Sequence, residues 1–269
     1  ARVAQLHDDV KEDVAPADAL VLYTDFEEVV DGKVLDLSGY GNHGTIEGDV
    51  AFVGGSGVNG KGVAAYISNP VKNGAASWQY IDFGKDASTQ LGEGNFTISA
   101  WVKTEGGGAH DTAIFGNKDY SKGANQGIAL NNQYGNADQH VCWNFTAAGG
   151  GRKDLRGMMG LDGEWHMQTL VVDRVGPASA YMDVEFVKDL NVTGATGTYD
   201  TGFSWRLGAA RRPGDSTDQT SVDDLRPSPT ALRPAVVEAL SAPVSQEPRR
   251  PDPWHLAHAL AWPSAFADV

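Results

Sequence analysis

Short blocks of strand-forming sequence, repeated from Leu20 to about Leu225, constrain the fold of this chain more than any other feature. The clearest block, Phe96–Lys103, alternates apolar with more polar residues at the period of two that a strand with two different faces requires. A second block, His166–Asp173, is rich in β-branched residues and follows the turn Gly163-Glu164-Trp165. Both blocks predict strands of a sheet that buries one face.

About a dozen blocks of this kind are predicted to be strands. They are Leu20–Phe26, Ala51–Val53, Val63–Ile67, Tyr80–Phe83, Phe96–Lys103, Thr112–Asn117, Gly127–Asn131, Val141–Phe145, His166–Asp173, Ala178–Val184, Phe203–Leu207 and Ser221–Leu225. Turn signals such as Asp31-Gly32 lie between blocks, and no amphipathic helical stripe separates them. This arrangement predicts antiparallel sheets rather than βαβ units, and therefore an all-β, two-sheet sandwich.

The two ends of the chain differ from its middle. Residues 1–18 form an acidic lead, residues 19–241 are predicted to be the folded domain, and residues 242–269 carry prolines and tryptophans typical of a tail or linker. Ala231–Leu240 has apolar residues at helical spacing, with Pro234 early enough for the first turn. We therefore expect a short C-terminal helix before the Pro-rich tail.

Charge and composition exclude some functions. The net charge is −14 and the pI is about 4.8, which disfavours binding to the phosphate backbone of nucleic acids. The sequence contains no run of eighteen apolar residues, so it predicts no membrane span. Cys142 is the only cysteine, so no intrachain disulfide can form, and its apolar neighbours indicate a small buried side chain. The acidity is compatible with a secreted or cell-surface location and with sites for Ca²⁺.

Five segments in order resemble a known family. They are Leu22–Glu27, Val34–Gly44, Phe96–Lys103, Asp162–His166 and Val222–Arg226. Together they resemble the bacterial laminin-G-like, concanavalin-A-like jelly-roll domain, of the carbohydrate-binding-module type. The resemblance implies two curved antiparallel sheets and a carbohydrate-binding or adhesive module within a larger secreted protein. One departure is Pro227-Ser228-Pro229, which predicts that the last strand is short or lies at an edge.

A calcium site is the first functional candidate. Its predicted ligands are Asp25, Glu27, Asp36, Asn42, Asp223 and Asp224. Hard oxygen ligands suit Ca²⁺, which accepts six to eight of them in flexible arrangements. The resemblance implies a structural ion that ties the first and last strands together. In the alternative interpretation, Asp36 and Asn42 cap turns, and the two adjacent aspartates divide between a buried and an exposed position.

A ligand-binding rim is the second candidate. The polar loop after the strand block Thr112–Asn117 combines amides, charges and an aromatic ring, which are the groups that recognise sugar hydroxyls and the apolar face of a pyranose. The predicted contacts are Asn117, Lys118, Asp119, Tyr120, Lys122, Asn125, Tyr134, Trp143 and Arg211. Alternatively, the segment is an ordered surface loop that satisfies its own backbone. Trp101 and Trp165 are predicted to be core or half-buried sheet residues rather than sugar platforms.

The sequence favours binding over catalysis. Sandwich glucanases carry their acids in a Glu-x-Asp-x-Glu run, and Asp183-Val184-Glu185 lacks the third acid. We therefore predict a non-catalytic carbohydrate-binding module of a secreted bacterial protein, stabilised by calcium, whose partners are a glycan and the other domains of its parent. Alternatives are an adhesive or structural protein-interaction domain and, with less support, a polysaccharide lyase or glycoside hydrolase.

Overall fold

The computed structural model describes residues 20–69, 78–104, 112–118, 126–133, 140–158, 160–209, 219–232 and 237. Sixteen strands lie within these residues. They are β1 Val29–Val30, β2 Lys33–Val34, β3 Gly44–Glu47, β4 Ala51–Gly54, β5 Val63–Ile67, β6 Tyr80–Asp82, β7 Phe96–Thr104, β8 Thr112–Gly116, β9 Gly127–Asn132, β10 Val141–Thr146, β11 Lys153–Met158, β12 Trp165–Val172, β13 Pro177–Met182, β14 Glu185–Asn191, β15 Arg206–Leu207 and β16 Thr220–Ser228.

The strands form two antiparallel sheets. The nine-stranded sheet has the order β1-β2-β3-β6-β15-β8-β9-β10-β11, and the seven-stranded sheet has the order β14-β13-β12-β7-β16-β5-β4. Sequence neighbours such as β9 and β10 pair directly, whereas β6 and β8 are bridged by β15, which comes from much later in the chain. The prediction of an all-β jelly-roll sandwich is confirmed.

The core lies between the sheets and is built by strand alternation. On β7, Phe96 and Ile98 are fully buried, and on β10 Trp143 and Phe145 face the same cluster. Because side chains alternate between faces, the intervening residues of β10 point to the outer face of the nine-stranded sheet. The outer face is unusual at β8, β9 and β10, because the residues of these strands that point outward are buried as well as those that point to the core.

The last strand corrects one expectation from the sequence. β16 is nine residues long and lies inside the seven-stranded sheet, between β7 and β5. It pairs with β5 only over Thr220–Val222, whereas its pairing with β7 extends through Pro227 to Ser228. The prediction of a short or edge strand is therefore wrong: Pro227 lies where β5 no longer pairs, so its missing N–H removes no hydrogen bond to β5.

The first predicted strand is also corrected. Within Leu20–Phe26 the structure has a single bridge, between Thr24 and Leu225, instead of a strand. The predicted blocks also leave out β1, β2, β3, β11 and β14. In β11 and β14 the strand pattern is weak because many of their residues are exposed or half-buried. Both strands lie at sheet edges, where a regular apolar face is not required.

The ends of the chain lie largely outside the described residues. Of the predicted helix Ala231–Leu240, Val237 is helical and packs against Val171 and Tyr181. The acidic lead and the Pro-rich tail are among the residues that the structure does not describe. Trp101 and Trp165 are half-buried, as expected from their positions on β7 and β12. Among the described residues, no helix is both long and apolar enough to cross a membrane.

The hairpin turn between β13 and β14 stores strain that one substitution should release. Its two central residues, Asp183 and Val184, have φ values of 51° and 73°. Valine is poorly suited to this left-handed region, whereas glycine is favoured at the second position of such a turn. We expect Val184→Gly to raise the free energy of unfolding by about 1 kcal/mol in denaturant titrations.

The matched control is Val175→Gly, in another exposed turn. Val175 is not among the residues with positive φ, so glycine there only adds freedom to the unfolded chain and should destabilise the domain slightly. Equal effects of the two variants would contradict strain relief at Val184.

Candidate ligand-binding site

A polar cavity of about 280 Å³ lies at the end of β8, on the nine-stranded sheet. Its lining residues are Lys85, Gly116, Asn117, Lys118, Gly202, Phe203, Ser204 and Arg206. They come from three separate parts of the chain: the segment after β6, the end of β8, and the approach to β15. The volume is near the lower limit of small-molecule sites, which fits one sugar unit or one substituent of a larger ligand.

Small residues form the floor of this region. Across four adjacent strands, Arg206, Gly116, Ala129 and Asn144 occupy directly paired positions on one face of the sheet. Two long polar side chains therefore flank two residues with little or no side chain. A Cβ atom on Gly116 would lie 2.4 Å from the carbonyl oxygen of Ile128. The strand spacing thus permits only glycine at this point of the floor.

Asn117 directly follows β8 and forms part of the wall of the cavity. Its backbone N–H donates to the carbonyl oxygen of Ile128 at 3.0 Å, and its side-chain Oδ1 accepts from the Ile128 N–H at 2.9 Å. Thr201 Oγ1 donates to the carbonyl oxygen of Asn117 at 2.8 Å. Asn117 is 2% exposed, and its Nδ2 is buried with no hydrogen-bond partner among the described residues. A buried donor of this kind is costly unless a ligand or water satisfies it.

Lys118 brings a positive charge to the same wall. The residue is 2% exposed, and its Nζ donates to Thr146 Oγ1 at 2.8 Å. Thr146 belongs to β10 and faces outward, because Phe145 beside it packs in the core. Lysine is almost never buried to this extent unless the ammonium group is compensated. The nine-stranded sheet therefore holds a buried ammonium group beside the cavity.

Arg206 forms another part of the wall and is held from two sides. Its Nε donates to Asp82 Oδ2 at 3.0 Å, across the β15–β6 pair, and its guanidinium lies 4.8 Å from the ring centroid of Tyr80. These contacts fix the orientation of the guanidinium before any ligand arrives. A group positioned in this way loses little conformational entropy on binding.

The sequence analysis missed four of the lining side chains. Lys85, Phe203, Ser204 and Arg206 lie far from the predicted loop in sequence. Phe203 is half-buried and gives the cavity an aromatic ring. The sequence predicted a strand over Phe203–Leu207, whereas β15 comprises only Arg206–Leu207 and Phe203 lies in a turn before it. No local pattern could show that this turn meets the end of β8.

Three of the nine predicted ligand contacts lie within the described residues. Asn117 and Lys118 line the cavity. Trp143 does not, because it is fully buried in the core between the sheets. It is therefore corrected to a core residue, since its position on β10 turns the ring away from the outer face. The other six predicted contacts lie outside the described residues; they are Asp119, Tyr120, Lys122, Asn125, Tyr134 and Arg211.

A second polar group occupies the outer face near β11. Asn144 Nδ2 donates to Asp154 Oδ1, which also accepts from Arg152 Nε at 2.9 Å, while Arg156 binds the other oxygen at 3.3 Å. Burial raises the pKa of Asp154, but hydrogen bonds and the charges of Arg152 and Arg156 outweigh it, so the pKa is lowered. The carboxylate is thus compensated by the protein itself.

Two of the six predicted calcium ligands form hydrogen bonds that organise the N-terminal segment, which comprises residues 20–44. Asp36 Oδ1 accepts from the backbone N–H groups of Tyr23 and Ser38, and Oδ2 accepts from Ser38 Oγ and the Asn42 N–H. Asn42 donates through Nδ2 to the Val21 carbonyl and accepts through Oδ1 from Ser88. Both side chains therefore organise the loop, as the turn-capping interpretation predicts.

The other four predicted ligands meet where the N-terminal segment joins β16. The Thr24–Leu225 bridge brings Asp25 and Glu27 to the same region as Asp223 and Asp224. Asp223 Oδ2 accepts from the Val58 N–H at 3.2 Å. Burial raises the pKa of Asp223 to about 7, with the negative charges of Asp224 and Glu27 adding to the shift. Glu27 Oε1 accepts from the Val63 N–H, and Asp224 Oδ1 accepts from the Tyr23 hydroxyl.

The fit of calcium to these residues is partial. Within the described ranges, no group of three or more His, Cys, Asp or Glu side chains is arranged to hold a metal. The six residues do not form one shell, because Asp36 and Asn42 already bond to protein donors. The buried carboxylate of Asp223, beside like charges, is the position where a cation would relieve the most unfavourable electrostatics.

The two antiparallel sheets define a jelly-roll sandwich. A family model described as the concanavalin A-like lectin/glucanases superfamily, of the laminin-G type, matches residues 75–238, which is more than half of the chain. The chain belongs to this family. The resemblance drawn from the five sequence segments is thereby confirmed. A search of curated proteins finds no match.

Solved structures with a similar fold include binding domains of clostridial toxins. The binding domain of Paraclostridial Mosquitocidal Protein 1 has a TM-score of 0.62 at 17% identity and is matched over 84% of this chain and 52% of its own. The binding domain of botulinum neurotoxin serotype D gives 0.59 at 13% identity, over 84% of this chain and 51% of its own. The chain thus spans about half the length of these structures, and the likeness at such identities shows the fold alone.

Proposed function

We propose that this domain binds a glycan without cleaving it, in the cavity at the end of β8. The polar cavity, with its lining of amide, hydroxyl and aromatic side chains, carries the proposal. At its wall, the Nδ2 of Asn117 is buried with no partner among the described residues. Sugar hydroxyls are the acceptors that such a donor suits. The concanavalin A-like family is consistent with this role, although its folds also include enzymes.

Recognition would combine one aromatic ring with several polar groups. Phe203 would contact the apolar C–H face of a sugar ring, while Ser204 and Asn117 would bind hydroxyl groups. Because β8 and the β15–β6 pair hold these residues, the site is largely preformed and little entropy is lost on binding. The predicted contacts outside the described residues, Tyr120 among them, would extend this surface.

Two similar structures illustrate the alternatives among partners. One is a complex of the botulinum neurotoxin serotype D binding domain with N-acetylneuraminic acid, and another is a complex of the DC binding domain with rat synaptotagmin II. The first supports a sugar ligand and the second an adhesive protein-interaction role. We favour the sugar, because the cavity is small, concave and polar rather than a broad surface. Placement in a secreted or cell-surface bacterial protein stays a prediction.

The test is glycan-array binding by the wild type and by Asn117→Asp. Aspartate keeps the oxygen that accepts from Ile128 but replaces the Nδ2 donor with an acceptor. We expect affinity for the array ligand to fall at least about tenfold in the folded variant. Its melting temperature is measured beside the affinity, because the substitution buries a carboxyl group at a position that is 2% exposed.

The matched control for this test is Asn191→Asp on β14. Asn191 Oδ1 caps the Thr193 N–H in a similar way but lies in the other sheet. Binding should be unchanged in this variant. An array without any ligand, together with saturable binding to a protein, would favour the adhesive alternative, and release of new reducing ends from a polysaccharide would favour an enzyme.

A structural calcium ion is the second part of the proposal. Asp223, with Glu27 or Asp25 and backbone carbonyl oxygens, would hold it where the N-terminal segment meets β16. We expect thermal unfolding at pH 7.5 to shift upward by about 5–10 °C between excess chelator and saturating Ca²⁺, because the ion binds only the folded state. Asp223→Asn should abolish the shift. An identical transition in chelator and calcium would rule the ion out.

A further inference from the structure

We infer that His166 is a pH-sensitive clamp, which holds the turn of residues 160–164 against the end of β12 while its ring carries two protons and frees that turn when the ring loses one. The clamp lies in the seven-stranded sheet and uses none of the residues that line the cavity. The inference therefore does not rest on the proposed glycan-binding function or on the calcium ion.

Both nitrogens of the His166 ring face carboxylate oxygens. Nδ1 lies 2.5 Å from Asp183 Oδ2, and Nε2 lies 3.1 Å from Asp162 Oδ1 and 3.2 Å from Asp162 Oδ2. An ionised carboxylate can only accept hydrogen bonds, so each contact needs a proton on the ring nitrogen. A neutral imidazole carries one N–H group and can donate to only one of the two aspartates. The complete arrangement therefore requires the imidazolium form.

Backbone hydrogen bonds fix both aspartates opposite the ring. Asp183, in the turn between β13 and β14, accepts through Oδ1 from the Met167 N–H at 2.8 Å and donates its own N–H to the Met167 carbonyl oxygen at 3.0 Å. Asp162 Oδ1 accepts from the Glu164 N–H at 3.0 Å, within the turn before β12. Asp183 is thus attached to β12 independently of His166, whereas the bond from Glu164 attaches Asp162 only to its own turn.

The contact with Asp162 is the one that deprotonation should break. Asp183 has the shorter contact with the ring and two further bonds to β12, whereas the Asp162 side chain is 59% exposed and can turn toward water. The turn keeps the bond from the Gly163 N–H to the Thr104 carbonyl oxygen, at 3.1 Å, and the packing of Leu161 against the core. Loss of the clamp therefore loosens the turn without unfolding the domain.

Among the described residues, carboxylates are the commonest charged groups around the ring. On β7 the residue that pairs with His166 is Val102, whereas Lys103 pairs with Trp165 and so points to the opposite face of the sheet. The charged or titratable side chains on the surrounding elements are Asp162 and Glu164 before β12, Asp183 and Glu185 after β13, Lys103 on β7, His140 just before β10 and Arg156 on β11.

The pKa of His166 agrees with this geometry. Burial lowers it, but the hydrogen bonds and negative charges of Asp183 and Asp162 outweigh burial, so the pKa is raised above the ordinary value of about 6.5. A group with a higher pKa in the folded state stabilises the fold at low pH, and this stability is lost as the pH rises through the folded pKa.

Asp162 sets the acidic limit of the clamp. The bond from the Glu164 N–H lowers its pKa, and the contact with His166 lowers it further, against a smaller opposing effect of burial. A carboxylate with a lowered pKa loses its contribution only as the pH falls through the folded pKa. The clamp is thus closed in weak acid and opens as the solution becomes alkaline.

The test follows the ring and the turn by NMR in a pH titration of the full chain. We expect His166 to titrate above the pKa of a histidine in an unstructured peptide with the same local sequence. Protection of the Gly163 amide against hydrogen exchange, corrected for the intrinsic rate at each pH, should fall roughly fivefold as the ring loses its proton.

Asp162→Asn is the variant that isolates the clamp. Asparagine keeps the oxygen that accepts from the Glu164 N–H, and its amide N–H can donate to an unprotonated Nε2. The ring should therefore titrate lower than in the wild type, and Gly163 should stay protected after the ring loses its proton. Asp189→Asn removes the same charge from an exposed position on β14 and should behave like the wild type.

Three results would overturn the clamp. They are a His166 ring that titrates at or below the peptide value, Gly163 protection that does not change with pH, and equal behaviour of Asp162→Asn and the wild type. The last result would show that Asp162 is not the contact that the ring controls. None of them bears on glycan binding, which is tested at the cavity in the other sheet.

Discussion

Replacement of Asp36 by alanine is expected to lower the free energy of unfolding by about 3–5 kcal/mol. The substitution removes the acceptor of four hydrogen bonds from Tyr23, Ser38 and Asn42. The Asn42 N–H is buried and would stay without a partner, which costs far more than an exposed bond. Because these bonds join the N-terminal segment to the following loop, we also expect early amide exchange of residues 20–44.

The measurement is equilibrium unfolding, once with calcium and once with chelator. The loss should be the same in both conditions, because Asp36 acts through hydrogen bonds. Asp49→Ala is the control: this aspartate is exposed in the same region, so its replacement should stay within about 0.5 kcal/mol of the wild type. A loss at Asp36 that disappears in chelator would instead identify this residue as a calcium ligand.

Replacement of Gly116 by alanine is expected to cost about 3 kcal/mol or more and to weaken ligand binding. A Cβ atom there would lie 2.4 Å from the Ile128 carbonyl oxygen and 2.8 Å from the Cα of Ala129. Both are backbone atoms of β9, so neither can move without disturbing the centre of the nine-stranded sheet. The displaced strands would also move Asn117 and Lys118, which line the cavity.

Thermal unfolding and titration with the array ligand test this expectation. Gly54→Ala, at the end of the edge strand β4, is the matched control, since no atom lies within 4 Å of its added Cβ. That variant should be as stable as the wild type or slightly more stable, because alanine restricts the unfolded chain. A stable Gly116→Ala protein would contradict the close approach of β8 and β9.

Strand periodicity made much of the fold predictable. β7 could be predicted from its own residues, because Phe96, Ile98, Ala100 and Val102 must share one face of any strand. β5 was predicted with the observed bounds for the same reason. β14 was missed because an edge strand with one solvated face needs no regular apolar pattern.

The candidate site could be predicted only in part. Asn117 and Lys118 stood out because a polar pair directly follows an apolar strand. Trp143 was misplaced because its neighbours do not reveal which face of β10 is the core face. For Asp36 and Asn42 the sequence allowed either calcium binding or turn capping, and the hydrogen bonds of the N-terminal loop favour turn capping.

What the sequence by itself determined is local: where strands run, that the chain folds as an all-β sandwich, and that a polar segment follows β8. The tertiary structure decided that β15 is inserted between β6 and β8, which brings Lys85, Lys118 and Arg206 to one cavity. The physical reason is that alternation within a strand depends on neighbouring residues, whereas strand order depends on burial and backbone pairing across the whole chain.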